Sequence, residues 1–154
     1  MKNIKVPYLD LRVDDLLKKE LINRIDKVLS HGRIVEGPEQ EEFERKFAHE
    51  IGVNYAIGVS SGSSALYLAL LGLDIGPDDE VITTPFTWVI TVNAIVATGA
   101  KPVFVDIKDD FNIDPNAIEK AITKKTKAIV PVHVAGHMCD MKNISRIAKE
   151  NNLF

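Results

Sequence analysis

Apolar residues recur at helical spacing early in the chain: Leu17, Leu21, Ile25 and Val28 stand four, four and three apart, and Phe43, Phe47 and Ile51 follow the same rule. That spacing predicts two amphipathic helices. Between them Gly32-Arg33-Ile34-Val35-Glu36-Gly37-Pro38 breaks the period and is predicted as a loop, while Gly52 stands where the second helix would take a left-handed C-terminal cap. From Tyr55 onward the pattern changes. Short apolar, often β-branched runs at 55–59, 81–84, 102–105 and 127–132 alternate with helix-length segments at 64–73, 88–98, 115–122 and 141–150. The third of these helices has Asp114 as its N-cap and Pro115 at its first helical position. Four βα units in succession predict an α/β fold with a parallel sheet and right-handed crossovers. The strands are nearly continuously apolar, as a sheet covered on both faces requires. After Glu150, Asn151 and Asn152 read as a cap and Leu153-Phe154 as the start of another strand, so the pattern breaks off inside a unit.

Composition narrows the function classes. The 154 residues are 45% hydrophobic, enough for a core, and Lys+Arg 19 against Asp+Glu 22 leaves a net charge of −3. No stretch concentrates the lysines, which argues against a nucleic-acid groove or a polybasic membrane patch. The single cysteine, Cys139, excludes an internal disulfide and points to a reducing compartment; the first ten residues lack the apolar core of a signal peptide, so the cytoplasm is the expected location. The longest apolar run, 65–71, contains Tyr67 and falls far short of the ~20 residues needed to span a bilayer.

The densest chemistry lies in Gly58-Val59-Ser60-Ser61-Gly62-Ser63-Ser64-Ala65-Leu66, which follows a predicted strand and opens a predicted helix. Backbone amides and the hydroxyls of Ser63 and Ser64 there meet at the positive end of a helix dipole, a place that attracts phosphate. Charge-assisted hydrogen bonds contribute roughly 1.5 to 3 kcal/mol each, so three or four converging donors would hold a phosphate monoester tightly. The same residues also serve as a plain N-cap and tight turn. Gly58-x-Ser60-x-Gly62 further fits a nucleophile elbow, and Ser60, Asp106 and His133 come in the chain order of an α/β-hydrolase triad, although no oxyanion segment precedes them.

Three other groups invite a reading. His133, His137 and Cys139 form an H-x₃-H-x-C cluster without a fourth ligand, and a loop at the carboxyl end of a strand is the favoured role. Asp106, Asp109 and Asp110 read as a solvated turn rather than a cation site. Trp88, the only tryptophan, follows Thr84-Pro85-Phe86-Thr87 past a strand end, where it is either core or a platform for a planar ring.

In order along the chain, Gly37-Pro38, Phe43-Glu44, Ser61-Gly62-Ser63-Ser64-Ala65-Leu66, Gly76-Pro77-x-Asp79-Glu80-Val81-Ile82 and Pro85-x-Thr87-Trp88 resemble the DegT/DnrJ/EryC1/StrS family of nucleotide-sugar aminotransferases. Thr98-Gly99-Ala100-x-Pro102-Val103-Phe104-Val105-Asp106, Lys124-Lys125-Thr126-Lys127-Ala128-Ile129 and Pro131-Val132-His133-x-Ala135-Gly136-His137-x-x-Asp140-Met141 are similar to the same family, so the resemblance covers almost the whole chain. It implies the first part of a fold-type-I large domain, three-layered with a mostly parallel sheet, at 53–154, preceded by two helices within 1–52. It implies pyridoxal 5′-phosphate as cofactor, with the phosphate held by Gly62, Ser63 and Ser64 and the ring covered by Trp88. It implies a nucleotide-linked keto-deoxysugar as substrate, glutamate as the usual amino donor, a homodimer, and a loop around His137 that faces the sugar. In the family the aspartate that pairs with the pyridinium nitrogen comes in the strand after the one that begins at Leu153 here, and the Schiff-base lysine further on, so the resemblance implies that both fall beyond Phe154; Lys101 and Lys127 do not match the catalytic motif. The 154 residues alone are therefore expected to be inactive, as part of an aminotransferase or as a binding module on the same scaffold.

Overall fold

The computed structural model describes residues 10–154, which divide into two compact units, one reaching to Gly58 and one running Val59–Phe154. The first holds α1 (Asp15–His31) and α2 (Pro38–Ile51). Asp14 caps α1 by accepting a hydrogen bond from the Leu17 amide at 2.8 Å, and Gly32 ends it at φ 71°. The interhelical loop is 32–37; Pro38 begins α2, where its missing N–H would have had no helical partner anyway. Gly52 closes α2 at φ 76°, the left-handed cap that the spacing predicted. The apolar stripe of α1 is present but uncovered: no residue of this helix is buried, and Leu21, Ile25, Val28 and Leu29 line an open apolar hollow of about 340 Å³ with Arg24 and Glu39.

The second unit runs α3 (Gly62–Gly72), β1 (Glu80–Thr83), α4 (Val89–Ala97), β2 (Lys101–Phe104), α5 (Pro115–Ala121), β3 (Thr126–Ile129), a 3₁₀ turn (Val134–Gly136) and α6 (Met141–Glu150). The strands form one parallel sheet in the order β2-β1-β3, with Ile82 opposite Val103 and Ile129. Val105 N–H to Thr83 O (3.0 Å) and Val130 N–H to Ile82 O (2.8 Å) carry both ladders one step further.

Alternation along β1 builds the layers. Ile82 packs with Val105, Ile113, Ile118, Ile144 and Ile147, whereas its neighbour Val81 points the other way to Leu70, Ala94, Ile95 and Ala128. Both are fully buried. Helices α3 and α4 thus cover one face and α5 and α6 the other, the three-layer arrangement expected of strands without a polar side. Each isoleucine buried this way contributes roughly 1.5–3 kcal/mol. Asp114 caps α5 by accepting from the Asn116 amide at 3.0 Å, with Pro115 at the first helical position, as predicted.

The structure corrects the strand assignments in two places. Segment 55–59 is no strand: among the described residues it joins no ladder, Tyr55 and Ile57 are exposed, and its one anchor is the Gly58 amide donating to Glu44 Oε1 at 2.6 Å. An apolar run becomes a strand only when a partner completes its hydrogen bonds. The run predicted at 127–132 also stops early, at Ile129, because Pro131 has no N–H to extend the ladder. At the outer edge of β3, Phe154 behaves as predicted: its N–H donates to Lys127 O and its O accepts from Ile129 N–H, both at 2.9 Å. Among the described residues no helix is long and apolar enough to cross a membrane.

Candidate functional site

Ser61 begins α3. Its extended backbone (φ −167°, ψ 163°) turns the side chain back so that Oγ accepts from the Ser64 amide at 3.1 Å, and its carbonyl accepts from Ala65 N–H at 3.0 Å. Ser64 Oγ lies 2.9 Å from Ser60 Oγ and 3.1 Å from Ser61 Oγ, so three hydroxyls form one cluster. Ser64 is therefore engaged in capping. Among the described residues the amides of Gly62 and Ser63 and the hydroxyl of Ser63 make no hydrogen bond, and a Cβ placed on Gly62 would meet only open space. These donors sit at the positive end of an 11-residue helix.

Ser60 has Ser64 as its partner. His133 Nδ1 accepts from the Cys139 amide (3.1 Å), Asp106 Oδ1 accepts from the Ile107 amide (2.8 Å), and so each member of the formal hydrolase triad is engaged elsewhere. The Cys139 thiol is buried and donates to Val132 O at 3.1 Å; burial pushes its pKa up, away from the thiolate that a metal would need. Among the described residues no group of three or more His, Cys, Asp or Glu side chains is placed to hold a metal.

Trp88 stands at the mouth of the second unit. Past the carboxyl end of β1, Thr84 is buried and its Oγ1 accepts from the Phe86 amide at 3.1 Å, turning the chain outward. Trp88 then serves as the N-cap residue of α4 with no side-chain capping bond, and it is 78% exposed. It belongs to no core cluster. With Pro85, Phe86 and Thr87 it forms one wall of an open cleft of about 380 Å³; Val132, Val134 and Ala135, past the carboxyl end of β3, form the other.

The second wall is held by a residue that sequence reasoning missed. Residues 107–113 make a tight hairpin closed by an antiparallel bridge between Ile107 and Ile113, with Lys108 N–H donating to Asn112 O at 2.9 Å. Asp110 is part of it, its Oδ1 accepting from the Asn112 amide at 3.1 Å and its Oδ2 lying 3.1 Å from Lys108 Nζ; these contacts hold its pKa below the usual carboxylate range. The carboxylates thus build a turn, as predicted. Asn112 itself is 0% exposed, and its side chain reaches across: Oδ1 accepts from the Val134 amide at 3.1 Å and Nδ2 donates to His137 O at 3.2 Å. His137 presents an exposed ring whose Nε2 lies 3.7 Å from Asp110 Oδ2. Phe111 (φ 65°) and Ala135 (φ 51°) both adopt left-handed backbone, a conformation costing on the order of 1–2 kcal/mol for residues with a Cβ. Strain of that kind persists only where surrounding contacts over-determine it.

An exposed tryptophan stands beside a cleft at the carboxyl ends of parallel strands, where open α/β sheets characteristically take ligands, and a helix start with unpartnered amides lies in the same α/β unit. Comparison with known proteins makes this specific. Residues 15–154 match the DegT/DnrJ/EryC1/StrS aminotransferase family, and the chain belongs to it. It is 46% identical over 140 residues to the spore coat polysaccharide biosynthesis protein SpsC of Bacillus subtilis, covering 90% of this chain and 36% of that protein. It is 45% identical over 150 residues to the dTDP-3-amino-3,6-dideoxy-alpha-D-galactopyranose transaminase of Aneurinibacillus thermoaerophilus, covering 96% and 41%. Among solved structures, NtdA of Bacillus subtilis with bound cofactor PMP superposes with a TM-score of 0.90 at 38% identity, covering 97% of this chain and 35% of that one. The chain spans about two fifths of the length of the curated relatives it matches.

Proposed function

We propose that this chain supplies the phosphate-holding and ring-facing part of a pyridoxal-phosphate-dependent aminotransferase that aminates a nucleotide-linked keto-deoxysugar, with glutamate as donor. The observation that carries the reading is the start of α3: the amides of Gly62 and Ser63 and the Ser63 hydroxyl make no hydrogen bond among the described residues, in a chain 38% identical to an enzyme solved with PMP. Those groups suit a phosphate dianion. The two amides are neutral and fixed by the helix, so they bind without reorganising, while the Ser63 hydroxyl rotates toward the anion; the helix dipole adds about 0.3–1 kcal/mol for an anion at its first turn. Ser64 acts at one remove by bracing Ser60 and Ser61.

Bound pyridoxal phosphate supplies an electron sink for moving an amino group. The chain's own part is placement. Trp88 offers an indole face to a planar ring and screens it from water, and the 133–137 turn opposite borders the space that a sugar would enter, with His137 as a hydrogen-bonding group at its end. The exposed apolar residues of α1 support a homodimer, since such a stripe is normally covered. The free thiol of Cys139, the one cysteine of the chain, suits a reducing compartment and so a cytoplasmic location. The phosphate site is tested by equilibrium dialysis of pyridoxamine 5′-phosphate, whose amine cannot condense with surface lysines. Wild-type chain should retain it, and Ser63→Ala should weaken retention; equal retention by both removes Ser63 from the site. Residues 1–154, in which no lysine carries the family's catalytic motif, should form no 2-oxoglutarate from glutamate and a dTDP-linked keto-sugar.

A further inference from the structure

The hairpin that carries Asn112 touches both walls of the Trp88 cleft. On one side the Phe111 ring packs on Phe86, centroids 5.5 Å apart and tilted by 31°; on the other, the Asn112 amide bonds Val134 and His137. Two adjacent residues of one turn therefore join two loops that leave different strands. A fully buried amide that spends its acceptor and one donor on a single loop is unusual if packing is its only task, because an apolar residue would fill the same space without needing partners. Ala135, which is left-handed, lies between the two bonded positions.

We propose that Asn112 is a positioning residue: its side-chain amide locks the 133–137 turn while the adjoining Phe111 braces Phe86, so that the two walls of the Trp88 cleft are set as one unit for a bound ring and sugar. The ligand side of this statement rests on the aminotransferase reading; the coupling of the walls does not. Asn112 touches no ligand in this scheme. It acts through Val134, His137 and, by way of Phe111, the segment ending at Trp88.

The test uses the full 154-residue chain, ¹⁵N-labelled, as wild type, Asn112→Ala, Asn112→Asp and Ile118→Val. Ile118 lies in the core cluster beneath the hairpin, so its truncation reports what loss of packing alone does. In the wild type the Val134 amide should exchange slowly with solvent although the turn lies at the surface; free exchange there overturns the proposal without any variant. Asn112→Ala should move the resonances of Val134 to His137 and also the Trp88 indole, and should weaken pyridoxamine 5′-phosphate binding about fivefold or more, the equivalent of one lost hydrogen bond. Asn112→Asp keeps the acceptor for Val134 and loses the donor to His137, so its Val134 signal should stay near the wild-type position while His137 moves. It carries the test if the alanine variant does not fold. Ile118→Val should leave Trp88 and the turn unchanged. A folded Asn112→Ala chain with an unmoved Trp88 indole, or an Ile118→Val chain with the same shifts, overturns the proposal. Failure of the wild type to bind the pyridoxamine phosphate sinks the cofactor reading instead and leaves the resonance shifts to decide the coupling.

Discussion

Replacing Trp88 by alanine separates a binding role from a structural one. The side chain is 78% exposed, lies outside both core clusters, and makes no capping bond to α4 although it occupies the cap position. Its truncation removes little packing and no hydrogen bond, so the unfolding free energy should fall by no more than about 0.5 kcal/mol, the range for surface substitutions. Stacking of an aromatic ring is worth about 0.5–1.5 kcal/mol beyond its area. At 1.36 kcal/mol per tenfold, that corresponds to a loss of roughly two- to thirteenfold in affinity for pyridoxamine 5′-phosphate. Urea denaturation followed by far-UV circular dichroism gives the first quantity, and dialysis with absorbance detection of the free cofactor gives the second. Unchanged affinity would falsify the stacking role. A stability loss of several kcal/mol would show that Trp88 is buried in solution and that the open cleft is not how the chain exists there.

Three further outcomes follow from particular contacts. Ser61→Ala deletes the acceptor for the Ser64 amide and should cost about 1 kcal/mol of stability, within the usual 0.5–2 for a lost N-cap, read from the urea midpoint. Glu80 is held below the usual glutamate range, first by the Thr123 hydroxyl at 2.6 Å and then by Lys101 at 3.0 Å. Its stabilising contribution is present above the unfolded-state pKa of about 4.3 and is lost as pH falls through the lower folded value, so Glu80→Gln should flatten the decline in urea midpoint between pH 6 and pH 3; an identical decline in both chains removes Glu80 from the acid response. Cys139, buried and with its thiol pKa raised chiefly by desolvation, should react with an aromatic disulfide reagent much more slowly in the native chain than in concentrated urea, and equal rates would mean that the loop is open.

What was legible in the sequence follows from the range of the interaction that fixes it. The helix ends at Gly52 and Asp114 depend on neighbours within a turn, and the residues there announce them. The alternation of apolar runs with helical segments was enough for a parallel sheet covered on both faces, since Val81 and Ile82 could both be apolar only if both sides were buried. Segment 55–59 has the composition of a strand, yet composition carries no information about whether a partner lies alongside. The serine-glycine turn could be read because Ser and Gly are chosen for local hydrogen bonding. Asn112 could not: flanked by Phe111 and Ile113 it looks like an ordinary turn residue, and its partners stand 22 and 25 positions away. The one local signal was an amide side chain set between two apolar residues just before a strong helix cap.

The strand order β2-β1-β3 reaches beyond the sheet itself. The chain leaving β1 runs to α4 on one face, whereas the chain leaving its neighbour β3 runs to α6 on the opposite face. Two adjacent exits that part toward opposite faces leave a gap at the carboxyl ends of the strands, the kind of crevice in which open α/β sheets take ligands. The cleft between Trp88 and Ala135 is thus a product of connectivity before it is a product of side chains. The lining bears on which molecule enters, and the path of the backbone on where.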